Sequence, residues 1–252
     1  MRNLLFKIAF DGSAFHGWQQ QENAVTVQGE LKKAWESLTG EVPNIIGCSR
    51  TDAGVHANEY YFNVRTNSTI PAISFPVALS SAKLPKEISV YSCREVDYEF
   101  NARFDCEKKE YEYIIENTQV PSPFMYKRAM HYKYNVDVEL LNKAAQFYVG
   151  THDFSAFCAA DAQVNSKVRT IYSACVVREG DFIKFRVCGN GFLYNMVRIM
   201  AGTLLYVANG KINAEDIPAI IESGDRTGAG ITAIPDGLYL NKVYYGGEVL
   251  EG

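Results

Sequence analysis

Apolar positions recur along the chain with two periods, and the switches between them lay out the elements. Residues 4–10, LLFKIAF, are rich in aliphatic and aromatic side chains and predict a strand. Residues 26–40, TVQGELKKAWESLTG, change to a helical period. Val27, Leu31, Ala34, Trp35 and Leu38 fall on one face, Thr26 stands at the N-cap position and Gly40 just past the end. Residues 59–66, EYYFNVRT, return to strand. FPVALSSAKLP predicts a short helix ending near Pro85, and ISVYSCREV, residues 88–96, another strand.

The second half repeats this logic. In residues 109–117, KEYEYIIEN, alternation sets Tyr111, Tyr113 and Ile115 on one face. Residues 138–150, VELLNKAAQFYVG, predict an amphipathic helix capped by Asp137 and ended by Gly150. Residues 171–189 predict a hairpin turning across Glu179–Asp181. Residues 192–210 predict a long, mostly apolar helix, and GLYLNKVYY, 237–245, a last strand. Each half thus offers strands plus helices, an α+β order. The boundary falls near residues 100–108, giving halves of 1–105 and 106–252. There is no close internal repeat, low-complexity tract or long linker.

Composition narrows the class. With 252 residues, 47% apolar and 21% charged, the chain has the make-up of a globular protein of one large or two small domains. No apolar run approaches the length that spans a bilayer. MRNLLFKIAFDG has too short an apolar run for a secretory signal, being interrupted by Lys7 and Asp11, so the expected location is cytoplasmic. None of the six cysteines forms a C-x-x-C pair, and Cys93, Cys175 and Cys188 read as small core residues in a reducing compartment. The net charge of −4 argues against a polyanion partner, yet its distribution argues for one. Residues 121–214 hold eleven basic and six acidic side chains, and none between Phe182 and Ala214 is acidic. YKRAMHYKY, 126–134, interleaves cations with aromatic rings, as a solvated strand face or a nucleic-acid surface would.

Candidate chemistry centres on GCSRTDAGVHA, 47–57, which packs Arg50, Asp52 and His56 among small residues. Asp52 admits two readings. It can be a turn residue bonding backbone N–H groups, or, paired with a cation such as Arg50, an ionised nucleophile or base that no bulk shields. Arg198 interrupts a helix otherwise apolar on nearly every face, and a buried charge is costly unless it is paired or snorkels outward. Asp52 is its candidate partner. Tyr111 is either an ordinary core tyrosine or an inward-facing hydroxyl in need of a partner. His152 and Asp153 in GTHDFSAF are conceivable metal ligands, but no helical His pair supports them, so no metal is expected. FDGSAFHGWQQQ, 10–21, reads as a turn with exposed amides and aromatics, either a plain loop or an RNA-contacting one.

Seven stretches occur together and in order: FDGSAFHGWQQQ, TVQGEL, SRTDAGVHA, NARFDCEKKEYEY, GTHDFSAF, GNGFLYNMVRIMAGTL and AIPDGLYL. The set, from residue 8 to about 245, resembles the TruA family of tRNA pseudouridine synthases. The resemblance implies a pseudouridine synthase fold of two pseudo-symmetric halves, each a sheet with helices, and a basic active-site cleft between them. It implies isomerisation of uridine to pseudouridine at nucleotides 38, 39 and 40 of the tRNA anticodon arm, by a homodimer using neither cofactor nor metal. The family's catalytic aspartate falls on Asp52, its active-site tyrosine on Tyr111, and the arginine that pairs with the aspartate on Arg198. Arg50 and His56 flank the aspartate. Lys127, Arg128, Lys167 and Arg169, in the basic segments 126–134 and 163–178, are the expected RNA contacts, and an isologous interface in the C-terminal half is the default.

Two positions depart from the family pattern: Ser49 stands where glycine is usual, narrowing the loop before the aspartate, and Ile234 where a second proline is usual, shifting a loop expected to cover the cleft. Three rival readings remain. One keeps the chemistry but acts on another tRNA position or small RNA. A second is a non-catalytic tRNA-binding module. A third is a metal-dependent hydrolase built on Asp52, His56, His152 and Asp153.

Overall fold

The computed structural model describes residues 1–159 and 164–246, so residue 163 of the second basic segment lies outside it. The described residues form a mixed α+β protein in two compact units. The first runs from Met1 to Glu107 and takes back the chain from Leu240; the second is Lys108–Tyr239.

In the first unit the elements are β1 (Arg2–Phe10), α1 (Val27–Thr39), β2 (Ile45–Gly47), β3 (His56–Thr66), α2 (Phe75–Ser81) and β4 (Ile88–Val96). β1 lies between β4 and β3, antiparallel to both, and β2 pairs with β3. α1 starts and stops where its sequence says. The Thr26 hydroxyl accepts from the Gly29 N–H, and Gly40 ends the helix in the left-handed region. Alternation along β1 sends Leu4, Phe6, Ile8 and Phe10 to one face, all buried. Phe6 stacks on Phe62 at 4.7 Å and meets Trp35 of α1 and Phe75 of α2 edge-on, so a single aromatic cluster ties both helices to the sheet. Across the sheet Asn3 and Asn63 are buried and bonded to each other at 2.9 Å. Together they hold segment 97–102: the Asn3 amide donates to the Asp97 and Phe100 carbonyls, and Asn63 accepts from the Ala102 N–H.

The second unit carries β5 (Cys106–Glu116, whose first two residues lie in the first unit), β6 (Met130–His131), α3 (Val138–Gln146), β7 (Gly150–Asp153), β8 (Val168–Glu179), β9 (Phe182–Gly189), α4 (Met196–Ala208) and α5 (Ile217–Ser223). Its sheet has the order β5-β9-β8-β7, all antiparallel, with β6 alongside β5 in parallel. β8 and β9 are the expected hairpin, turning at Gly180 and Asp181 with Gly180 at φ 59°. α3 lies on β8 through side chains as well as packing: Asn142 accepts from the Val176 N–H and Gln146 donates to the Ala174 carbonyl. The last strand, β10 (Leu238–Tyr245), carries the chain into the first unit. There Tyr245 is buried edge-on against Tyr61, with its hydroxyl donating to the Ala102 carbonyl.

Several expectations need correction. The chain from Leu240 packs with the first unit rather than with 106–239, because Tyr245 finds its buried partners there. α3 stops at Gln146, four residues short of Gly150. Residues 147–149 tighten into i→i−3 bonds that drop Tyr148 into the core against Phe157, and Gly150, at φ 126°, opens β7 instead of ending a helix. α4 begins at Met196 rather than 192, since Asn195 is left-handed at φ 60°. Cys175 is half-buried, whereas Cys93 and Cys188 are core residues, and burial pushes the Cys93 thiol up to about 12. No helix among the described residues is long and apolar enough to cross a membrane.

α4 is buried nearly all round, and Gly202 explains how another segment reaches its backbone. A Cβ at Gly202 would lie 1.8 Å from the Ile231 carbonyl oxygen, and Gly230 meets the same turn. Gly202→Ala should therefore destabilise the protein by at least about 2 kcal/mol. In a thermal melt this reads as a Tm lowered by about 4 °C or more. An unchanged Tm would show that the contact yields freely.

Candidate functional site

The aspartate loop of the first unit is laid against a second turn, residues 11–18, and the two are joined through their backbones. The Trp18 N–H donates to the Thr51 carbonyl at 3.1 Å and the Gly54 N–H to the Phe15 carbonyl at 3.2 Å. Within the loop the Val55 N–H donates to the Asp52 carbonyl, closing a tight turn. Such proximity leaves no room for side chains on the facing turn. A Cβ on Gly12 would lie 2.0 Å from the Val55 oxygen, and one on Gly17, itself at φ 86°, 2.4 Å from the Thr51 oxygen. The loop's other end is held by the Cys48 N–H on the Tyr61 carbonyl and by the Tyr60 hydroxyl on the Ser49 carbonyl. Thr51 and Val55 are buried, Asp52 is half-exposed, and Arg50 and Ala53 are exposed. The carboxylate is thus carried by a fixed backbone, with Thr51 and the small residues Ala53 and Gly54 beside it in sequence.

His56 is elsewhere engaged. Its ring is 2% exposed, with Nδ1 3.0 Å from the Gly12 N–H and 3.2 Å from the Asp11 carboxylate. Held at Nδ1 by these two contacts with residues 11 and 12, His56 is a buried strut between the loop and the turn. The ring, expected beside the substrate, lies inside. The turn also differs from expectation. Its aromatics, Phe15 and Trp18, are buried, Trp18 stacking on Tyr60 at 4.1 Å, and Ala14, His16 and the amides Gln19–Gln21 face outward. Ser49, the first departure, contributes its carbonyl, which glycine would supply equally.

In the second unit Tyr111 sits on β5 opposite Val187 of β9. It is buried, with the Phe192 ring edge-on at 5.0 Å. Two residues along the same face the buried Tyr113 donates to the Ile234 carbonyl at 2.8 Å. Burial lifts its phenol well above the ordinary range; the nearby Arg198 charge opposes this and Asp236 adds to it. Arg198 is half-buried on α4 and strapped to segment 233–237 in both directions. Its Nε donates to the Ala233 carbonyl at 2.8 Å, and its own carbonyl accepts from the Ala233 N–H at 3.1 Å. A third bond, 2.7 Å to the Asn195 side chain, explains why that asparagine does not cap the helix. The guanidinium is therefore a positioned charge and not a snorkelling one.

The expected RNA-contacting cations fall into two kinds. Arg50, Lys127 and Arg128 are exposed. Lys167 and Arg169 are half-buried, and the Arg169 guanidinium turns back on the Ser166 and Val168 carbonyls, burial lowering its pKa. The residues of the hydrolase reading are likewise occupied locally. His152 Nε2 lies 3.1 Å from the Val149 carbonyl, and the Asp153 carboxylate accepts from the Ser155 N–H and hydroxyl. Among the described residues no group of three His, Cys, Asp or Glu side chains converges. Sequence reasoning missed Asp11, Gly12 and Gly17 as the seat of the aspartate loop, and Tyr113 and Ala233 as the setting of Arg198. The signal for the first was present in the D-G-x-x-x-x-G spacing of residues 11–17.

Comparison with known proteins places these units in context. The sequence profile of a family described as tRNA pseudouridine synthase matches residues 7–105 and 144–246. The chain is 47% identical over 245 residues to a tRNA pseudouridine synthase A of Thermoanaerobacter sp. (strain X514), covering 97% of this chain and 100% of that protein. It is equally identical, over the same shares, to one from Acetivibrio thermocellus, and 44% identical to one from Caldicellulosiruptor bescii.

The second departure, Ile234, needs no shift of its loop. Its backbone, at φ −59° and ψ 151°, already lies in the range that proline imposes, followed by Pro235. The strap's bonds run through the Ala233 N–H and the Ile234 carbonyl, both of which proline at 234 keeps. Ile234→Pro should stabilise the protein by about 0.4–1 kcal/mol, by restricting the unfolded chain. A differential melt checks this; a lowered Tm would mean that the Ile234 side chain or N–H is needed.

Proposed function

We propose that this chain, which belongs to the tRNA pseudouridine synthase family, is an isomerase converting uridine to pseudouridine in the anticodon arm of tRNA, at nucleotides 38, 39 and 40. The observation that carries this reading is the near-full-length similarity to proteins named tRNA pseudouridine synthase A. The match of one family profile to two separate stretches, 7–105 and 144–246, supports a chain built of two related halves.

The chemistry assigned to each residue follows from its setting. The target base leaves the stack, since its glycosidic bond is otherwise hidden in the arm. Asp52, half-exposed, is the nucleophile, adding to ribose C1′ or to uracil C6. The C1′–N1 bond breaks, the uracil turns, a C1′–C5 bond forms, the bond to Asp52 breaks so that its carboxylate is regenerated, and as the proton on C5 leaves N1 gains one, which keeps the isomerisation balanced. Tyr111, buried against Phe192, is the group assigned to that proton and to stacking on the uracil. Arg198, fixed by the 233–237 strap, balances the Asp52 carboxylate between steps. Arg50, Lys127 and Arg128 are the cations best placed for phosphates; Lys167 and Arg169 contribute less, being half-buried. The enzyme works as a homodimer in the cytoplasm, without metal or cofactor.

Tritium release from [5-³H]uridine-labelled tRNA tests the assignment directly. Wild type should release tritium with no metal added. Asp52→Ala should lower the rate by at least about three orders of magnitude with tRNA binding within about twofold. A turnover-competent Asp52→Ala protein would remove Asp52 from the mechanism.

A further inference from the structure

Between β5 and α3, residues 117–135 contain no acidic side chain but carry Lys127, Arg128 and Lys133. This segment is fastened from below. The buried Glu116 carboxylate accepts from the Ser122 N–H at 2.7 Å, and the Tyr239 hydroxyl donates to the Arg128 carbonyl at 2.7 Å. Further along, the Asn117 amide donates to the Tyr132 and Tyr134 carbonyls. Tyr134 is exposed on this frame, and earlier in the segment two more large aromatic rings point outward: Phe124 is 84% exposed and Tyr126 71%. Lys127 adopts the left-handed region at φ 58°, uncommon for a side chain of its size, and its Nζ lies 5.8 Å from the Tyr126 ring centroid.

Neither ring contributes to the core, and water is a poor neighbour for either. Flat apolar faces beside cations, on a segment with no acid of its own, complement one class of ligand well. A nucleobase stacks on the ring while the phosphate joined to it meets the cation. We infer that Phe124 and Tyr126 form a stacking platform for unpaired nucleotides of the RNA substrate, with Lys127 and Arg128 holding the adjoining phosphates. This rests on the proposed function for the identity of the RNA and adds to it residues that bind bases without taking part in the chemistry. Duplex RNA, whose bases are already stacked, gains nothing from such a platform.

The test compares the full-length wild type with the double variant Phe124→Ala/Tyr126→Ala and with Tyr126→Phe. Binding to an unmodified tRNA transcript and to a blunt RNA duplex is measured by fluorescence anisotropy across a salt series. The double variant should raise the Kd for tRNA at least about tenfold while leaving duplex binding and the salt slope unchanged. Tyr126→Phe, which keeps the ring, should bind as wild type does. Lys127→Ala and Arg128→Ala should instead flatten the salt slope by about one each. The inference is overturned if the double variant binds tRNA within twofold of wild type. It is also overturned if lost binding coincides with a changed oligomeric state by sedimentation, which would make the rings a contact between protein copies. Tritium release from the same tRNA separates the two readings. Wild type that binds tRNA but never releases tritium sinks the proposed activity and leaves the platform standing. Turnover by wild type with unaltered tRNA binding by the double variant sinks the platform alone. A wild type that bound no RNA would overturn both.

Discussion

The backbone junction between residues 11–18 and 48–56 is the constraint from which the aspartate's presentation follows. Two loops can lie this close only where one of them lacks side chains, and Gly12 and Gly17 supply that absence. Proximity lets the loops satisfy each other's N–H and C=O groups, so neither needs water or a regular strand to do so. Asp52 inherits a fixed backbone position from this arrangement. A reactive carboxylate on a mobile loop would spend most of its time out of position; one on a doubly anchored turn is pre-organised at little cost to its exposure.

The second unit solves the same problem differently. Arg198 lies on a helix, a rigid support, and the difficulty is its charge among apolar neighbours. Segment 233–237 answers it by offering a carbonyl to the guanidinium and an N–H to the helix backbone. The same segment accepts the Tyr113 hydroxyl and so spans from α4 to β5. Gly237 permits this passage, since a Cβ there would lie 2.5 Å from the Ile114 oxygen. In both units a chemically distinctive side chain is held by bonds from residues far away in sequence.

That distance governs what was legible in the sequence. Elements set by local chemistry were read closely: the Thr26 and Asp137 caps, the Gly40 stop, the turn at Gly180–Asp181 and the strand 88–96 all depend on neighbours within a few positions. The failures are tertiary overrides. α3 ends early because Tyr148 is needed in the core, and α4 starts late because Asn195 turns to Arg198. Phe15 and Trp18 read as surface aromatics because nothing local reveals that Tyr60 and the aspartate loop cover them. Asp52, Arg50 and Arg198 stood out by residue type and context, whereas the interior role of His56 depended on Gly12, forty-four positions away.

A chain of net charge −4 can hold a polyanion only where its own acids are kept at a distance. Screening at physiological salt limits exposed charges to about 8 Å, so the relevant quantity is the local balance and not the total. The acid-free stretches 117–135 and 182–214 meet that condition within the second unit, while much of the acid lies in other segments. A small set of cations provides limited affinity and weak long-range steering, since each phosphate contact adds only its own increment. In the proposed reading, discrimination comes from contacts that read the form of the RNA: exposed rings for unpaired bases, and an aspartate loop that a nucleotide reaches only once it has left its stack. An acidic overall composition is, in this light, compatible with RNA work and suppresses indiscriminate binding to every other polyanion.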